Sequence, residues 1–238
     1  MTYLVSFLFL VVYLKPFSIA IKTLKPYLKL HFKTGKWLFL TAVSQWWAGN
    51  LFVVSSGVYL GAEALGALRL SQSLFGVLNV LLQAFENYVL PQTAQKIKEN
   101  YPAGINYLKS MNRKLTVVFV PVLIGVAVFA QPILVMAGGV DYAAYAFVLR
   151  GLSVLYVFIL LSQPLRFMFR SLQLNNHFLY AYLLSLAFAI TSSHWLLSNY
   201  GLQGVITGLV GSQLILMAYW TIILQLKKHK TWKSFTSY

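Results

Sequence analysis

Long apolar stretches alternate with short polar segments along the chain. A transmembrane helix needs about 20 consecutive, predominantly apolar residues. Six stretches meet this requirement, at residues 37–60, 67–90, 115–137, 144–165, 178–197 and 202–226. The pattern therefore predicts an all-α fold, a polytopic membrane helix bundle with about six full transmembrane helices.

A seventh apolar run, residues 1–14, is short for a bilayer and is interpreted as a partial transmembrane helix. Lys15 follows its apolar core and no basic residue precedes it, which argues against a cleaved signal peptide. We expect that Met1 falls inside a helix whose beginning is missing, although a short tilted anchor fits the same residues. After this partial helix, the sequence is divided into a basic linker at 15–36, a six-helix transmembrane lobe at 37–226 and a basic tail at 227–238.

Outside the predicted spans, Lys and Arg are confined to alternate loops. They lie in residues 15–36, in 96–114, at Arg166 and Arg170 (with His177 in the same loop), and in the tail. The intervening loops at 61–66, 138–143 and 198–201 contain no Lys or Arg. Because Lys and Arg concentrate in the cytoplasmic loops of membrane proteins, this bias predicts a cytoplasmic C-terminus and cytoplasmic basic loops.

The composition supports a membrane protein and argues against a nucleic-acid binder. The chain is 59% hydrophobic and 10% charged, with a mean hydropathy of +0.70, whereas a soluble domain carries about 25% charged residues. Nineteen basic residues face four acidic ones, a net charge of +15. A nucleic-acid binder would spread them over a polar face, whereas here they cluster between apolar runs, so no nucleic-acid partner is expected.

The lysines of the linker recur every three or four residues. They are Lys22, Lys25, Lys29, Lys33 and Lys36, and the apolar side chains between them fall on another helical face. A basic face beside an apolar face is typical of a helix in the membrane interface, held by anionic lipids of the cytoplasmic leaflet. An irregular cytoplasmic linker is the alternative. Pro26 is expected to kink such a helix or divide it.

A stripe of polar residues runs along the second predicted span. Its members are Arg69, Gln72, Gly76, Asn79, Gln83 and Glu86. At about 100° per residue they occupy a sector only ~100° wide. Polar groups within a bilayer normally face a bundle interior or a water-filled cavity. We interpret the stripe as a hydrated, cavity-lining face, with hydrogen bonding between packed helices as the alternative.

Two further features lie within predicted spans. Arg150 is about two turns into its span, where its guanidinium could bind an anionic group such as a pyrophosphate. It could equally snorkel outward or pair with Asp141 or Glu63. In the last span, Gly204 and Gly208 form a GxxxG pair, which we interpret as a site of close helix packing.

The chain offers little support for catalysis. It contains no HExxH motif, nucleophile elbow or phosphate-binding loop. The candidate carboxylate pair, Glu63 with Asp141, belongs to outer loops only a few residues long. His194 is interpreted as an interfacial histidine, and the absence of cysteine excludes a thiolate metal site. We therefore expect neither enzymatic activity nor a cofactor.

Residues 35–95 contain Gln45 midway along the first predicted helix, the sequence LGAEALGALRLSQ at the turn, and Pro91 at the end of the second helix. These features resemble the seventh and eighth helices of the polysaccharide flippases of the multidrug/oligosaccharidyl-lipid/polysaccharide exporter superfamily. GGVDYAAYAFVLRGLSVL resembles the start of the tenth helix, and NYGLQGVITGLVGSQL resembles the turn between the last two. The resemblance extends over residues 35–226.

The resemblance implies two pseudo-symmetric six-helix lobes around a central cavity with alternating access. The substrate would be an oligosaccharide linked to a polyprenyl pyrophosphate, flipped across the bacterial cytoplasmic (inner) membrane for O-antigen, capsule or exopolysaccharide biosynthesis. The family's cavity cations would correspond to Arg69 and Arg150. The substrate-binding candidates are Arg69, Gln72, Asn79, Gln83, Arg150 and Gln45.

The resemblance implies that the sequence corresponds to the second lobe of such a transporter. We therefore expect that the chain needs a missing N-terminal lobe or a complementary half, and polysaccharide polymerase or chain-length machinery are further candidate partners. Two alternatives remain open. A cation-coupled multidrug exporter shares the fold, with Glu86 as the ion-coupling carboxylate. The lobe could also be a membrane partner subunit that does not itself transport.

Overall fold

The computed structural model describes residues 21–235, and every element in that range is helical. The partial helix expected at residues 1–14 lies outside the described residues. The chain divides into two compact units, residues 1–39 and residues 40–238. The all-α class expected from the sequence is confirmed.

Seven α-helices and one 3₁₀ helix follow one another within this range. They are α1 (Ile21–Leu60), α2 (Ala62–Leu74), α3 (Gly76–Glu99), α4 (Tyr101–Val128), α5 (Ala130–Gly138), a 3₁₀ helix (Val140–Tyr145), α6 (Ala146–Ser171) and α7 (Asn175–Phe235). Four of the described helices are long and apolar enough to cross a membrane, or five if the bent pair α2–α3 is counted as one span. The protein is therefore a membrane helix bundle.

In the first unit, the described residues form the beginning of α1. The helix continues through Pro26, so residues 21–36 of the linker are helical and Pro26 does not divide them into two pieces. A proline removes one backbone hydrogen bond from a helix, and the other bonds of this 40-residue helix remain available to it. Lys36 Nζ lies 5.6 Å from the centre of the Trp37 ring, within reach of a cation–π interaction.

In the second unit, three turns predicted from the sequence each contain a glycine with positive φ: Gly61 (88°), Gly139 (98°) and Gly201 (55°). Such backbone angles are readily adopted only by glycine. The turns lie at the same end of the bundle, because Tyr145 donates a 2.7 Å hydrogen bond to Glu63 and the Tyr59 and His194 rings are 5.3 Å apart. We call this the glycine end.

At the opposite end, the loop expected at residues 96–114 is almost entirely helical. Only Asn100 separates α3 from α4, and the prediction of a long loop is wrong. Lys96 Nζ lies 5.4 Å from the centre of the Tyr107 ring, and the Tyr107 hydroxyl donates a 2.7 Å hydrogen bond to Gln92. The basic residues therefore lie on extended helix ends, where long side chains reach polar surroundings while the backbone stays helical. We call this the basic end.

The second predicted span is not one straight helix. It is interrupted at Phe75, and α2 and α3 meet at an angle of 41°. Phe75 is buried and stacks on Tyr156 of α6, with ring centres 4.2 Å apart. The next residue, Gly76, disfavours continuous helix because it lacks a side chain. The bend therefore coincides with a packed aromatic pair that the apolar pattern does not reveal.

α7 is a hairpin of two arms. It breaks at Gly201, whose φ and ψ are 55° and −132°, and the arms run antiparallel because Phe178 stacks on Trp220 with ring centres 5.1 Å apart. A Cβ on Gly204 would collide with the Leu196 carbonyl, and one on Gly208 with the ring of Phe52. The GxxxG pair therefore occupies close packing contacts, as interpreted from the sequence.

α6 is the central helix of the second unit. It packs against α2, α3, α4, α5 and α7, and together with the preceding 3₁₀ helix it forms the most buried of the candidate membrane spans. Its buried apolar side chains, among them Leu149, Leu152 and Leu160, belong to the main core cluster. Polar side chains on α6 are consequently held at fixed positions among the surrounding helices.

Candidate functional site

A cavity of about 640 Å³ opens between helices of the second unit. Side chains from α1, α2, α3, α6 and α7 contribute to its wall. Most of the polar ones are neutral amides and hydroxyls: Gln45, Gln72, Asn79, Gln83, Asn87, Ser162, Gln163, Ser185, Ser212 and Gln213. The charged lining residues are Glu86, Arg166 and Arg170.

Most of the stripe identified in the sequence lies along this cavity. Gln72 from α2 and Asn79, Gln83 and Glu86 from α3 all line it, so the bend at Phe75 does not separate them. Gln45 of α1 lines the same cavity. The structure thus brings together five of the seven residues singled out from the sequence, and the two arginines are placed elsewhere.

Arg69 lies beside the cavity and is not part of its lining. Its Nη1 donates hydrogen bonds of 3.3 Å to Asn50 Oδ1 and to Gln72 Oε1. Asn50 in turn donates a 2.9 Å bond to the Trp46 carbonyl on α1. Arg69 therefore links α2 to α1 and fixes the amide of a cavity residue.

Arg150 does not reach the cavity. It is exposed near the start of α6, and its Nε donates a 3.3 Å hydrogen bond to the Ala127 carbonyl at the end of α4. It lies sixteen positions before Arg166 on the same helix, which corresponds to ~24 Å along the axis. The pairing of Arg150 with Asp141 or Glu63 considered from the sequence is not the contact that the structure records.

The two arginines that line the cavity are Arg166 and Arg170. The sequence pattern assigned them to a basic loop, because the predicted apolar span ended at residue 165, and this assignment is wrong. α6 continues to Ser171 and carries both side chains into the cavity wall. One signal was available in the sequence, since Gln163, Arg166 and Arg170 are spaced by three and four residues, as in the polar stripe of the second span.

Glu86 forms ion pairs with both arginines. Its carboxylate lies 3.7 Å from Arg166 Nη2 and in direct contact with Arg170 Nη1. The Glu86 side chain is 10% exposed, whereas Arg166 and Arg170 are 27% and 44% exposed. Two guanidinium groups against one carboxylate leave the cluster with an excess positive charge that faces the cavity.

Several buried polar atoms of cavity residues have no hydrogen-bond partner within residues 21–235. They are Gln163 Oε1, Arg166 Nε, Ser185 Oγ, Ser212 Oγ and Trp220 Nε1, besides Glu86 Oε1, which instead forms the ion pair with Arg170. Nearby, Gln213 Nε2 donates a 2.8 Å bond to Ser162 Oγ, which ties α7 to α6. Buried polar groups normally have partners, so this wall retains hydrogen-bonding capacity.

The fold and the cavity define a class: a membrane helix bundle with a polar cavity that contains a positively charged cluster. Residues 1–147 match the sequence model of a family described as polysaccharide biosynthesis protein. Because the match covers more than half of the 238 residues, the chain belongs to this polysaccharide biosynthesis family. The resemblance to flippase-type proteins drawn from the sequence is thereby confirmed.

The matched region ends shortly after the start of α6. It contains the polar stripe and Glu86, whereas Arg166 and Arg170 lie beyond it. Comparison with curated proteins and with solved structures returned no match.

Proposed function

We propose that this chain forms a transporter lobe that moves polyprenyl-diphosphate-linked oligosaccharide across the cytoplasmic membrane for surface polysaccharide biosynthesis. The observation that carries the proposal is the cavity between membrane-span helices, which combines neutral amides with an arginine pair. Membership of a polysaccharide biosynthesis family supports a substrate from that process. The proposed role is transport and includes no catalytic step.

The arginine pair suits the diphosphate part of such a substrate. A guanidinium group binds phosphate oxygens through parallel N–H donors and keeps its charge at any physiological pH. Arg166 and Arg170 are one helical turn apart on α6 and both line the cavity. They could therefore contact neighbouring phosphates of one ligand.

The remaining cavity wall suits the sugar. Gln72, Asn79 and Gln83 offer amide donors and acceptors along α2 and α3, and Gln213 of α7 lines the same cavity. Sugar hydroxyls pair with such groups without a change of charge. The volume of about 640 Å³ falls within the range of roughly 300–1,000 Å³ typical of small-molecule sites.

We propose six membrane spans: residues 37–60 of α1, the bent pair α2–α3, α4, α6 and the two arms of α7. The hairpin at Gly201 supports counting α7 twice, because its arms pack antiparallel. The distribution of Lys and Arg supports a cytoplasmic basic end and C-terminus.

A cation-coupled multidrug exporter is less well supported. Such a protein would need a carboxylate available to a cation, and Glu86 is the acidic residue that lines the cavity. Glu86 is already paired with Arg166 and Arg170. A cationic drug would meet excess positive charge at this cluster, and like charges repel.

Deletion of the gene in the source bacterium tests the proposal. We expect loss of the surface polymer together with accumulation of lipid-linked oligosaccharide that is accessible only from the cytoplasmic face. A plasmid copy should restore the polymer, and so should Arg113→Gln, since Arg113 is exposed and lies outside the cavity lining. A copy with both Arg166→Gln and Arg170→Gln should not restore it.

Two results would contradict the proposed function. One is a normal surface polymer in the deletion strain. The other is loss of the lipid-linked oligosaccharide itself, which would indicate a role in its synthesis.

A further inference from the structure

Resting on the proposed function, we propose that Glu86 is a releasing counter-ion. It holds Arg166 and Arg170 while no substrate is bound, is displaced when phosphates bind, and returns to the arginines to expel the substrate. Glu86 thereby limits the affinity of the cavity for its anionic ligand, and this limit allows the transporter to release its substrate.

The contacts place Glu86 in direct competition with any bound anion. Its two carboxylate oxygens face the two guanidinium groups, Oε2 towards Arg166 and Oε1 towards Arg170. A phosphate that binds the same N–H donors must take the place of these oxygens. Glu86 comes from α3 and the arginines from α6, so the competition also acts across a helix–helix contact.

Such a counter-ion is needed because an unpaired charge within a membrane bundle is energetically costly. Two arginines within a membrane bundle, with no acidic partner, would be strongly unfavourable. Glu86 reduces this cost for the unliganded cavity, and it is the acidic side chain among the described lining residues. When the substrate leaves, the ion pairs re-form, so the free energy of the released state is lowered.

The exposure of the cluster fits exchange of partners. Glu86 is 10% exposed and anchored, whereas Arg170 is 44% exposed and Arg166 27% exposed. The arginines therefore remain accessible from the cavity while paired. Arg166 Nε is also buried without a partner within residues 21–235, so the cluster keeps a donor that Glu86 does not use.

The test compares the full wild-type chain with Glu86→Gln in lipid nanodiscs, using a short-chain polyprenyl diphosphate as the probe. Glutamine preserves the size of the side chain and removes its charge. We expect Glu86→Gln to bind the probe about tenfold tighter or more, because an internal competitor and a like charge are both removed. We expect probe dissociation to slow by a similar factor.

The matched control is Glu99→Gln. Glu99 is an exposed acid at the end of α3, where it accepts a hydrogen bond of 3.0 Å from Gln95. This variant removes the same charge from the same helix away from the cavity, and its affinity should equal that of the wild type. Unchanged or weaker binding by Glu86→Gln overturns the inference.

A measurement on wild-type protein does not depend on the folding of any variant. The chain has four acidic residues, so infrared difference spectra recorded on adding inorganic pyrophosphate contain few carboxylate bands. We expect one carboxylate band to shift as Glu86 loses its guanidinium partners, with the same shift in Glu99→Gln. No shift at a pyrophosphate concentration that saturates binding overturns the inference.

The binding data separate the two claims. If the wild type binds the diphosphate probe, Arg170→Gln loses it, and Glu86→Gln binds no more tightly, then the releasing role of Glu86 is wrong and the proposed function stands. If neither the wild type nor Glu86→Gln binds the probe, both are wrong.

Discussion

Arg166 and Arg170 are one turn apart on α6 and share the carboxylate of Glu86. An arginine within a membrane bundle is costly unless it is paired or faces a polar cavity, and such residues usually serve function. Both conditions are met here, since the pair lines the cavity and has an acidic partner. Arg150, by contrast, is exposed and bonded to a backbone carbonyl. The candidate functional arginines are therefore the two that line the cavity.

Replacing a cavity arginine should be far more harmful than replacing one outside the cavity. Arg170→Gln should lower the transport rate at limiting substrate about tenfold or more, since a hydrogen bond to a charged group contributes about 1.5–3 kcal/mol. Arg150→Gln should change it little, because its observed contact is a single 3.3 Å bond to the Ala127 carbonyl. The measurement is the initial flipping rate of a labelled lipid-linked oligosaccharide.

The expression level and thermal stability of both variants serve as controls. Equal losses of rate in Arg150→Gln and Arg170→Gln would contradict the assignment of the cavity arginines.

The candidate site could be predicted in part from sequence. Helical spacing identified Gln72, Asn79, Gln83 and Glu86, because residues three or four apart share a face whatever the tertiary structure. Spacing cannot identify which residue on another helix faces that stripe. The partners of Glu86 were missed for this reason. Arg69 was selected by the same spacing and Arg150 by its depth in the predicted span, and neither signal specifies contacts.

At the scale of elements, the closest packing surrounds the glycines of the second arm of α7. Gly208 faces the ring of Phe52 on α1, and Phe52 is fully buried. A methyl group at residue 208 would overlap the ring, and a buried ring has little room to move aside. The absence of a side chain at Gly208 therefore sets how closely α1 and α7 approach.

Gly208→Ala should destabilise the protein by about 1–3 kcal/mol, the usual cost of overpacking a well-packed core. The measurement is thermal unfolding of the purified protein in detergent. Gly125→Ala is the matched control, since a Cβ there meets nothing within 4 Å, and alanine should keep or raise stability in a helix.

Adding Phe52→Leu to Gly208→Ala should recover part of the loss, because the smaller side chain makes room for the methyl group. Equal stability of Gly208→Ala and the wild type would contradict this packing.

The sequence predicted the helices well where an apolar stretch and a helix end at the same residues. The turns at Gly61, Gly139 and Gly201 were expected, and each coincides with a positive-φ glycine. The pattern failed at the basic end, where α3 and α4 continue as helices well into the predicted loop. The length of an apolar stretch indicates how much of a helix contacts lipid. A helix itself continues for as long as its backbone hydrogen bonds are satisfied.

At the scale of the whole molecule, the described turns of the second unit alternate between the glycine end and the basic end. Gly61, Gly139 and Gly201 mark one end, and Asn100 and Gln173 mark the other. Lys96 and Lys98 lie in the last turn of α3 at the basic end. Since basic residues favour the cytoplasmic side, the two ends should lie on opposite sides of the membrane.

Reporter fusions test this orientation. A reporter after Lys230 should be active in the cytoplasm, and one inserted at Gly139 should report the other compartment. Because Gly139 lies in a turn between α5 and the 3₁₀ helix, an insertion there disturbs little packing. The same compartment for both fusions would show the orientation to be wrong.

The central claim is that the cavity is hydrated and takes a lipid-linked oligosaccharide. The chain has no cysteine, so a single introduced thiol can be followed without background. Gln83 lines the cavity, whereas Leu81, two residues earlier on α3, is 51% exposed on an apolar surface suited to lipid. Labelling of a thiol at each position therefore distinguishes a surface that contacts water from a surface that contacts lipid.

The most direct measurement is the labelling rate of Gln83→Cys and Leu81→Cys by a membrane-impermeant thiol reagent, with and without lipid-linked oligosaccharide. The account predicts that Gln83→Cys is labelled, that the lipid-linked oligosaccharide slows this labelling, and that Leu81→Cys remains unlabelled throughout. Equal labelling of both positions, or labelling of Gln83→Cys that the substrate does not slow, would contradict it.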